Sequence, residues 1–289
     1  MRKTKEEKVF NIINLVFMVF FTVIIAFPLI NIVALSFNDP MDALKGGIFL
    51  WPRKFTFESY RTVLENHAIY LAFAVSIGKT IVGVLLHTFI TAITAYALTR
   101  EDLIGRKFFE VMGILTMFVS GGMIPTFLVY KSYGLLNNFW VYILPVLFSF
   151  YDVIIMMNFF RGIPRSLEES AEIDGATPFV IFAKIIIPLS LPVIATIALY
   201  HGVYQWNDYM TANIYVNNEK LFPLQQLLFK IVSENLSPTV ATGTAVVRDT
   251  TSQSMQLATM VITTIPVVAV YPFLQKYFVS GLTLGAVKE

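Results

Sequence analysis

The sequence contains no cysteine among its 289 residues, and only 14% of those residues are charged. Without cysteine the chain has no disulfide framework, no thiol nucleophile and no thiolate metal site. Its three histidines, His67, His87 and His201, are not spaced as metal ligands. The formal net charge of +2 gives no sign of nucleic-acid binding, which needs clustered basic residues on one face.

A complete nucleotide-binding loop is also lacking. The tripeptide Gly78-Lys79-Thr80 resembles the end of a P-loop, but Phe73 occupies the position where that motif requires its first glycine. The tripeptide also lies in an apolar run with no strand before it. Because no nucleophile with a base and no metal-ligand cluster stands out elsewhere, we expect a chain that is not itself an enzyme.

What the sequence has in abundance is apolar surface: 56% of the residues are hydrophobic and the mean hydropathy is +0.68. One soluble core cannot cover that surface, so lipid is expected to solvate much of the chain. A helix needs about 20 residues to cross a hydrocarbon core of about 30 Å, and backbone groups in lipid must be bonded within the segment. The sequence therefore predicts an all-α integral membrane protein with six transmembrane helices, at 9–37, 68–99, 110–130, 138–160, 185–207 and 250–278.

The charges predict the orientation of these spans. The first apolar run follows Arg2, Lys3, Lys5 and Lys8, and it is too long for a secretory signal. Threading six spans from a cytoplasmic start leaves 12 Lys and Arg residues inside and 8 outside, as the positive-inside rule favours. Both termini and the segment 161–184 are thus expected in the cytoplasm, with a long external loop at 208–249.

The cytoplasmic segment 166–188 is predicted to form two short helices. Ser166 can cap the first helix, and Glu169, three residues later, can complete a capping box. Gly175 suits the left-handed position that ends a helix. Thr177-Pro178 then offers an N-cap followed by proline at the first helical position. We expect two helices joined by a tight glycine bend.

The first of these helices is unusually acidic for a cytoplasmic segment. Its acids are Glu168, Glu169, Glu172 and Asp174. The last two lie near the helix C-terminus, where the helix dipole disfavours anions. A basic groove on a partner would stabilise these acids, and the small residues around them would let that partner approach closely. The alternative is a solvated acidic helix between two spans.

The same segment resembles the EAA loop of ABC importer permeases. The matching residues are Glu169-Ser170-Ala171, Gly175 after three more residues, and Ile185-Ile186-Ile187-Pro188 after a further nine. Ser170 and Ile187 depart from the family pattern by small, conservative changes. The resemblance implies the type I ABC importer permease fold, in which this loop enters a cleft of an ATPase subunit and the glutamate at the position of Glu169 pairs with a basic residue there. The implied ATPase-coupling residues are Glu169, Ser170, Ala171, Asp174, Gly175, Ala176, Pro178, Ile185 and Pro188.

The likeness extends across nearly the whole chain. Trp206-Asn207-Asp208-Tyr209 and Phe222-Pro223-Leu224-Gln225 resemble the LplC/YtcP-like subgroup of carbohydrate permeases, and the stretch from Tyr271 to Lys288 resembles the C-terminus of maltose-type permeases. The resemblance implies import of oligosaccharides, some of them pectin-derived or uronic-acid-containing, across a bacterial cell membrane. It implies four partners besides the solute, namely a second homologous permease, two ATPase subunits that bind ATP and Mg, and an extracytoplasmic solute-binding protein. No cofactor on this chain and no nucleic acid are expected.

Two other classes of membrane protein compete with this interpretation. An ion-gradient-driven secondary transporter is the main alternative, and it predicts an internal repeat that is not visible in the sequence. A membrane enzyme is the weaker alternative, because the sequence offers no catalytic constellation.

Polar residues inside the expected spans are candidates for the translocation path. Lys79 and Asp152 are expected to snorkel or pair near the external boundary, and His87 and His201 to form hydrogen bonds between helices. The set best suited to a sugar, with amide and hydroxyl groups beside an aromatic surface, is Asn158, Gln205, Trp206, Asn207 and Tyr209. An interfacial aromatic belt is the alternative for this set.

The external loop is predicted to contain one amphipathic helix at the membrane edge. After Pro223, apolar residues recur at helical spacing at Leu224, Leu227, Leu228 and Ile231. By resemblance to maltose-type permeases, this helix would contact the solute-binding protein.

Overall fold

The computed structural model of the protein describes residues 4–43, 45–236, 253, 255–270 and 272. Within these ranges the regular structure is helical, apart from one isolated bridge between Asn38 and Phe55. The chain divides into two compact units. One contains Met1–Ile69 with Leu228–Ile265, and the other contains Tyr70–Leu227 with Pro266–Glu289.

The first unit begins with α1, Lys5–Ser36, a helix of 32 residues. Thr4 and Glu7 form a capping box, in which the Thr4 hydroxyl accepts from the Glu7 amide and the Glu7 carboxylate accepts from the Thr4 amide. In the most apolar part of α1, 0% of the residues are buried by the chain itself. A helix this long and this apolar is covered by lipid or by another membrane protein.

Polar contacts fix the connection that follows α1. It contains α2, Pro40–Ala43, and α3, Glu58–Glu65. The Asn31 side-chain amide donates to the carbonyl oxygens of residues 48 and 49, at 2.8 and 2.9 Å. Arg53 donates to the buried Asp42 carboxylate at 2.9 Å. Burial raises the pKa of Asp42, but hydrogen bonds from Arg53 and Asn38 hold that pKa below its ordinary value.

Most of the second unit is built from helices that follow in chain order. They are α4 His67–Thr99, α5 Arg106–Phe118, α6 Met123–Ser132, α7 Phe150–Arg161, α8 Arg165–Ile173, α9 Pro178–Ile181, α10 Ile187–Leu189, α11 Leu191–Asn207 and α12 Met210–Tyr215. The 3-10 turns Phe139–Tyr142 and Leu144–Val146 precede α7, the π-helical turn Phe182–Ile186 joins α9 to α10, and the 3-10 turn Glu219–Leu221 follows α12. Two more helices are α13, Leu224–Leu236, and α14, Met255–Val270.

Within the described ranges, two helices and three bent pairs of helices have the length and hydropathy of a membrane span, and one shorter apolar helix follows them. The helices α1 and α4 are each long and apolar enough to cross a membrane. Three more segments are bent: α5 with α6 by 117°, the turns before α7 with α7 by 51°, and the segment Pro178–Leu189 with α11 by 80°. The sixth is the shorter helix α14. The expected span 250–278 extends beyond the described residues.

The break between α5 and α6 interrupts the run 110–130, which was expected as one span. Gly122 stands at the break with a φ of +85°, a left-handed conformation that glycine adopts without strain. Another glycine, Gly113, brings α5 against α7, since a Cβ atom there would lie 2.2 Å from the Phe150 ring. Phe150 is itself part of the core formed by α4, α7, the turn after α9, and α11.

Candidate functional site

Residues 165–189, called the coupling segment below, contain the glycine bend that the sequence predicts. Gly175 has a φ of +79°. The Ala176 amide donates to the carbonyl oxygen of Ala171 at 2.9 Å, and the Gly175 amide donates to that of Glu172 at 3.0 Å. This pair of bonds is the Schellman arrangement that ends a helix at a left-handed residue. The prediction of two helices joined at Gly175 is confirmed.

The predicted start of the first helix is wrong. The N-cap of α8 is Pro164, no side chain caps the helix, and Ser166 lies inside it. Because no side chain caps α8, Ser166 and Glu169 form no capping box, and the Ser166 carbonyl oxygen accepts from the Ser170 hydroxyl at 2.7 Å. The second helix does begin with Thr177 as N-cap and Pro178 at the start, although the Thr177 side chain makes no capping hydrogen bond.

The acidic face of α8 is partly neutralised within the chain. Arg100, directly after α4, donates from Nη1 to Glu168 Oε2 at 3.0 Å and from Nη2 to Glu172 Oε1 at 3.0 Å. The hydrogen bond to Glu172 raises the pKa of Arg100 above its ordinary value. The expectation that all four acids need a basic partner is therefore wrong for these two glutamates, because Arg100 already stabilises them.

A charged cavity of about 700 Å³ lies beside this contact. Its basic lining residues are Arg100, Arg106, Arg161 and Arg165, and its acids include Glu101, Glu168, Glu169 and Glu172. Arg165 donates to Glu101, and this bond holds the pKa of the Glu101 carboxyl below its ordinary value. The cavity thus concentrates both signs of charge where α4, α7 and α8 meet.

Other acidic and apolar groups of the coupling segment are exposed, and the acids among them form no ion pair within the described ranges. Glu169 and Asp174 are exposed, and within the described part of the chain neither forms an ion pair. Ile173 is 86% exposed and Phe179 is 65% exposed. Large apolar side chains and these two acids are thus exposed together on the coupling segment.

Lys79 and Asp152 each lie in a charged pair, so pairing is the one of the two expected outcomes that the structure has; Lys79 is fully buried and the Asp152 side chain is 20% exposed. The Lys79 ammonium is 0% exposed and donates to the Asp208 carbonyl oxygen at 2.8 Å, with Asp208 Oδ2 at 3.4 Å. It also lies 4.9 Å from the centre of the Tyr142 ring. The pair joins α4 to the end of α11. Asp208 lies 129 positions away in the sequence, which is why the sequence did not reveal it.

The two buried histidines lie together, and the predicted hydrogen bond between helices is confirmed for His87 only, since His201 Nε2 lies 3.4 Å from Gln205 Nε2 on its own helix. His87 Nε2 on α4 is 3.0 Å from Asp152 Oδ2 on α7, and the ring of His201 stacks on that of His87 at 3.9 Å. His87 Nδ1 faces two carbonyl oxygens at 3.2 and 3.1 Å, so Nδ1 must carry a proton. Within the described ranges no group of three or more acidic or histidine side chains could hold a metal ion.

The five residues proposed to bind a sugar have different environments. Gln205 and Trp206 are buried, with Gln205 Nε2 donating to the Tyr142 carbonyl oxygen at 2.9 Å. Asn158 and Asn207 are exposed, and Tyr209 is half-buried. Asn207 Nδ2 donates to the Val203 carbonyl oxygen at 2.8 Å, while Gln205 and Trp206 belong to the packing of α11.

Sequence reasoning missed the polar face of α4. Ser76, Lys79, His87 and Thr91 are all 0% exposed and recur at three- or four-residue intervals, or at multiples of them. In a membrane helix the apolar side chains face lipid and polar ones face protein, so this periodicity marks the buried face. This spacing of polar residues is present in the sequence, but the length of an apolar run does not reveal it.

The amphipathic helix predicted after Pro223 is confirmed as α13. Its first residue, Leu224, is fully buried, and the Leu224 amide donates to the Ser76 hydroxyl on α4 at 2.8 Å. The start of this helix is therefore held against α4 by a hydrogen bond.

Comparison with known proteins gives consistent matches over the whole length. The family described as "Binding-protein-dependent transport system inner membrane component" matches residues 1–284. The polygalacturonan/rhamnogalacturonan transport system permease protein YtcP of Bacillus subtilis (strain 168) is 40% identical, over 98% of this chain and 99% of that protein. Protein LplC of the same organism is 39% identical, over 100% and 98% respectively.

A solved structure agrees in fold. The crystal structure of a bacterial ABC transporter involved in the import of the acidic polysaccharide alginate contains a chain with a TM-score of 0.86 and 31% identity. The match covers 96% of this chain and 99% of that one. The chain therefore belongs to the inner membrane components of binding-protein-dependent transport systems, as a non-catalytic ABC importer permease subunit of the type I fold.

Proposed function

We propose that this chain forms one half of the translocation channel of an ATP-driven importer of oligosaccharides, including pectin-derived or uronic-acid-containing ones. The observation that carries the proposal is the coupling segment, whose bend at Gly175 leaves Glu169, Ile173 and Phe179 exposed for a partner. The relative YtcP is named for transport of polygalacturonan and rhamnogalacturonan, and the matching solved structure is described as importing the acidic polysaccharide alginate. Both names support an acidic oligosaccharide as the solute.

The partners follow from this function. A second homologous permease would complete the channel, two ATPase subunits with their ATP and Mg would contact the coupling segments, and an extracytoplasmic binding protein would deliver the solute. This chain itself would hold no cofactor. The loop that contains α13 is the part proposed to contact the binding protein, and Asn158 and Asn207 are the amides proposed to meet the solute.

The proposed orientation puts both termini and the coupling segment in the cytoplasm of a bacterial cell. The four arginines that line one cavity, Arg100, Arg106, Arg161 and Arg165, support it because they gather at one end of the second unit. Cytoplasmic ends of membrane helices are enriched in such residues. The ion-gradient alternative has no support from the family that the chain matches, which is described as a component of binding-protein-dependent transport systems.

Uptake into vesicles tests this function. The assembled complex, reconstituted with its binding protein and a labelled galacturonate oligosaccharide, is expected to import the solute only when the ATPase side has hydrolysable ATP. Uptake is expected to continue after ionophores have collapsed every ion gradient. Import driven by an ion gradient without ATP would overturn the proposal, and a neutral oligosaccharide in the same assay tests the solute class.

A further inference from the structure

The C-terminal end of α4 is bound to α8 by one arginine that contacts two glutamates. The guanidinium of Arg100 gives a separate nitrogen to Glu168 and to Glu172, each at 3.0 Å. These glutamates are four residues apart, so they lie on one face of the helix. The Tyr96 hydroxyl, one turn earlier on α4, also donates to Glu168 Oε2, at 3.3 Å.

A second ion pair lies on the same face of α8, but here the arginine belongs to α8 and the glutamate follows α4. Arg165, at the start of α8, donates to Glu101, which follows Arg100 in the sequence. The two pairs differ in exposure, because the Arg165 and Glu101 side chains are 66% and 67% exposed while those of Arg100 and Glu168 are 28% and 18% exposed. Exposed pairs contribute little and partly buried ones are screened less, so Arg100 makes the stronger link.

The other end of this link is a rigid element. From Thr99 the helix α4 runs back without a break to His67. On the way it carries His87, paired with Asp152 on α7, and Lys79, paired with Asp208 at the end of α11. When α8 moves while Arg100 remains bound to it, the movement therefore acts on α4, which also contacts α7 and the end of α11.

We propose that Arg100 is a positioning residue that ties the coupling helix α8 to the transmembrane helix α4, so that movement of α8 by the ATPase is transmitted into the spans. This inference rests on the proposed function, because it needs an ATPase that moves the coupling segment. The role requires the forked guanidinium, since a lysine ammonium is a single point charge that cannot hold two carboxylates in the same geometry.

Spin labels test the tie without any transport assay. The natural chain contains no cysteine, so cysteines placed at Ile104 and Ile173, which are 93% and 86% exposed, are the only labelling sites. In the full chain in lipid we expect one narrow distance distribution between the labels. Arg100→Gln is expected to broaden it and Arg100→Lys to give an intermediate width, whereas Arg61→Gln, which removes an exposed pair with Glu65, should leave it unchanged. Equal widths in all variants would overturn the inference.

The ratio of solute imported to ATP hydrolysed gives the functional test. In the reconstituted complex, Arg100→Gln is expected to lower this ratio by at least about tenfold, as expected for loss of a charge-assisted contact, with Arg100→Lys in between. Wild-type import that depends on ATP, with an unchanged ratio in Arg100→Gln, would overturn the inference alone. Absence of ATP-dependent import by the wild type would instead contradict the proposed function.

Discussion

Reversing the charge of Glu169 is expected to abolish ATP-driven uptake. Glu169 is exposed on the coupling segment and makes no ion pair in the described part of the chain, so it is free to meet a basic residue of the ATPase. A lysine at this position would place its ammonium group against the basic residue of the ATPase, in a contact from which water is excluded. We expect Glu169→Lys to weaken binding of the ATPase by about 2 kcal/mol or more, which is roughly 30-fold.

Two further variants sharpen this test. Glu169→Gln removes the charge without creating repulsion and is expected to give a smaller loss of affinity. Glu65→Lys makes the same charge change at an exposed glutamate of the first unit, and it should leave both ATPase binding and uptake unchanged. Both quantities can be measured on the same preparations, by titration of the ATPase and by vesicle uptake. Normal ATPase affinity in Glu169→Lys would rule out this residue as the docking contact.

Removing the ammonium of Lys79 is expected to destabilise the protein by about 3–5 kcal/mol, because it leaves a buried carboxylate without its cation. The Lys79 side chain is 0% exposed and that of Asp208 is 9% exposed. Lys79→Met also removes the hydrogen bond to the Asp208 carbonyl oxygen and the contact with the Tyr142 ring. The free energy of unfolding in detergent micelles is the quantity to compare.

The double variant Lys79→Met with Asp208→Asn serves as the matched control. Replacing both members of a buried pair removes the unpaired charge, so most of the lost stability should return. Additive losses in the double variant would mean that the two side chains do not depend on each other. Wild-type stability in Lys79→Met would contradict the buried pair directly.

Local chemistry explains which parts of the coupling segment were predictable. The bend at Gly175 and the start at Thr177-Pro178 depend on backbone preferences of the residues themselves, so the sequence predicts them. The start of α8 does not, because the helix extends to Arg165, whose side chain contacts Glu101 from a distant part of the chain. A tertiary contact here accompanies a helix whose N-cap, Pro164, lies two residues before the cap that local rules predict at Ser166.

The polar contacts inside the spans were only partly predictable. That His87 would bond between helices follows from its place in an apolar run, but the choice of Asp152, 65 positions away, depends on how α4 packs against α7. Arg100 and Glu168 are 68 positions apart, so a single sequence gives no sign that they meet. The sequence therefore indicated the acidic helix correctly and assigned all of its acids to a partner, although the chain neutralises two of them itself.

Cross-linking from the exposed face of the coupling segment is the most direct test of the central claim. A photoreactive group on a single cysteine at Ile173 in the assembled transporter is expected to label the ATPase subunit, whereas the same group at Trp51, which is 83% exposed in the connection proposed to be external, should not. Labelling of the ATPase from position 173 and not from position 51 is the result predicted. An intact, active complex in which position 173 does not label the ATPase would contradict the account.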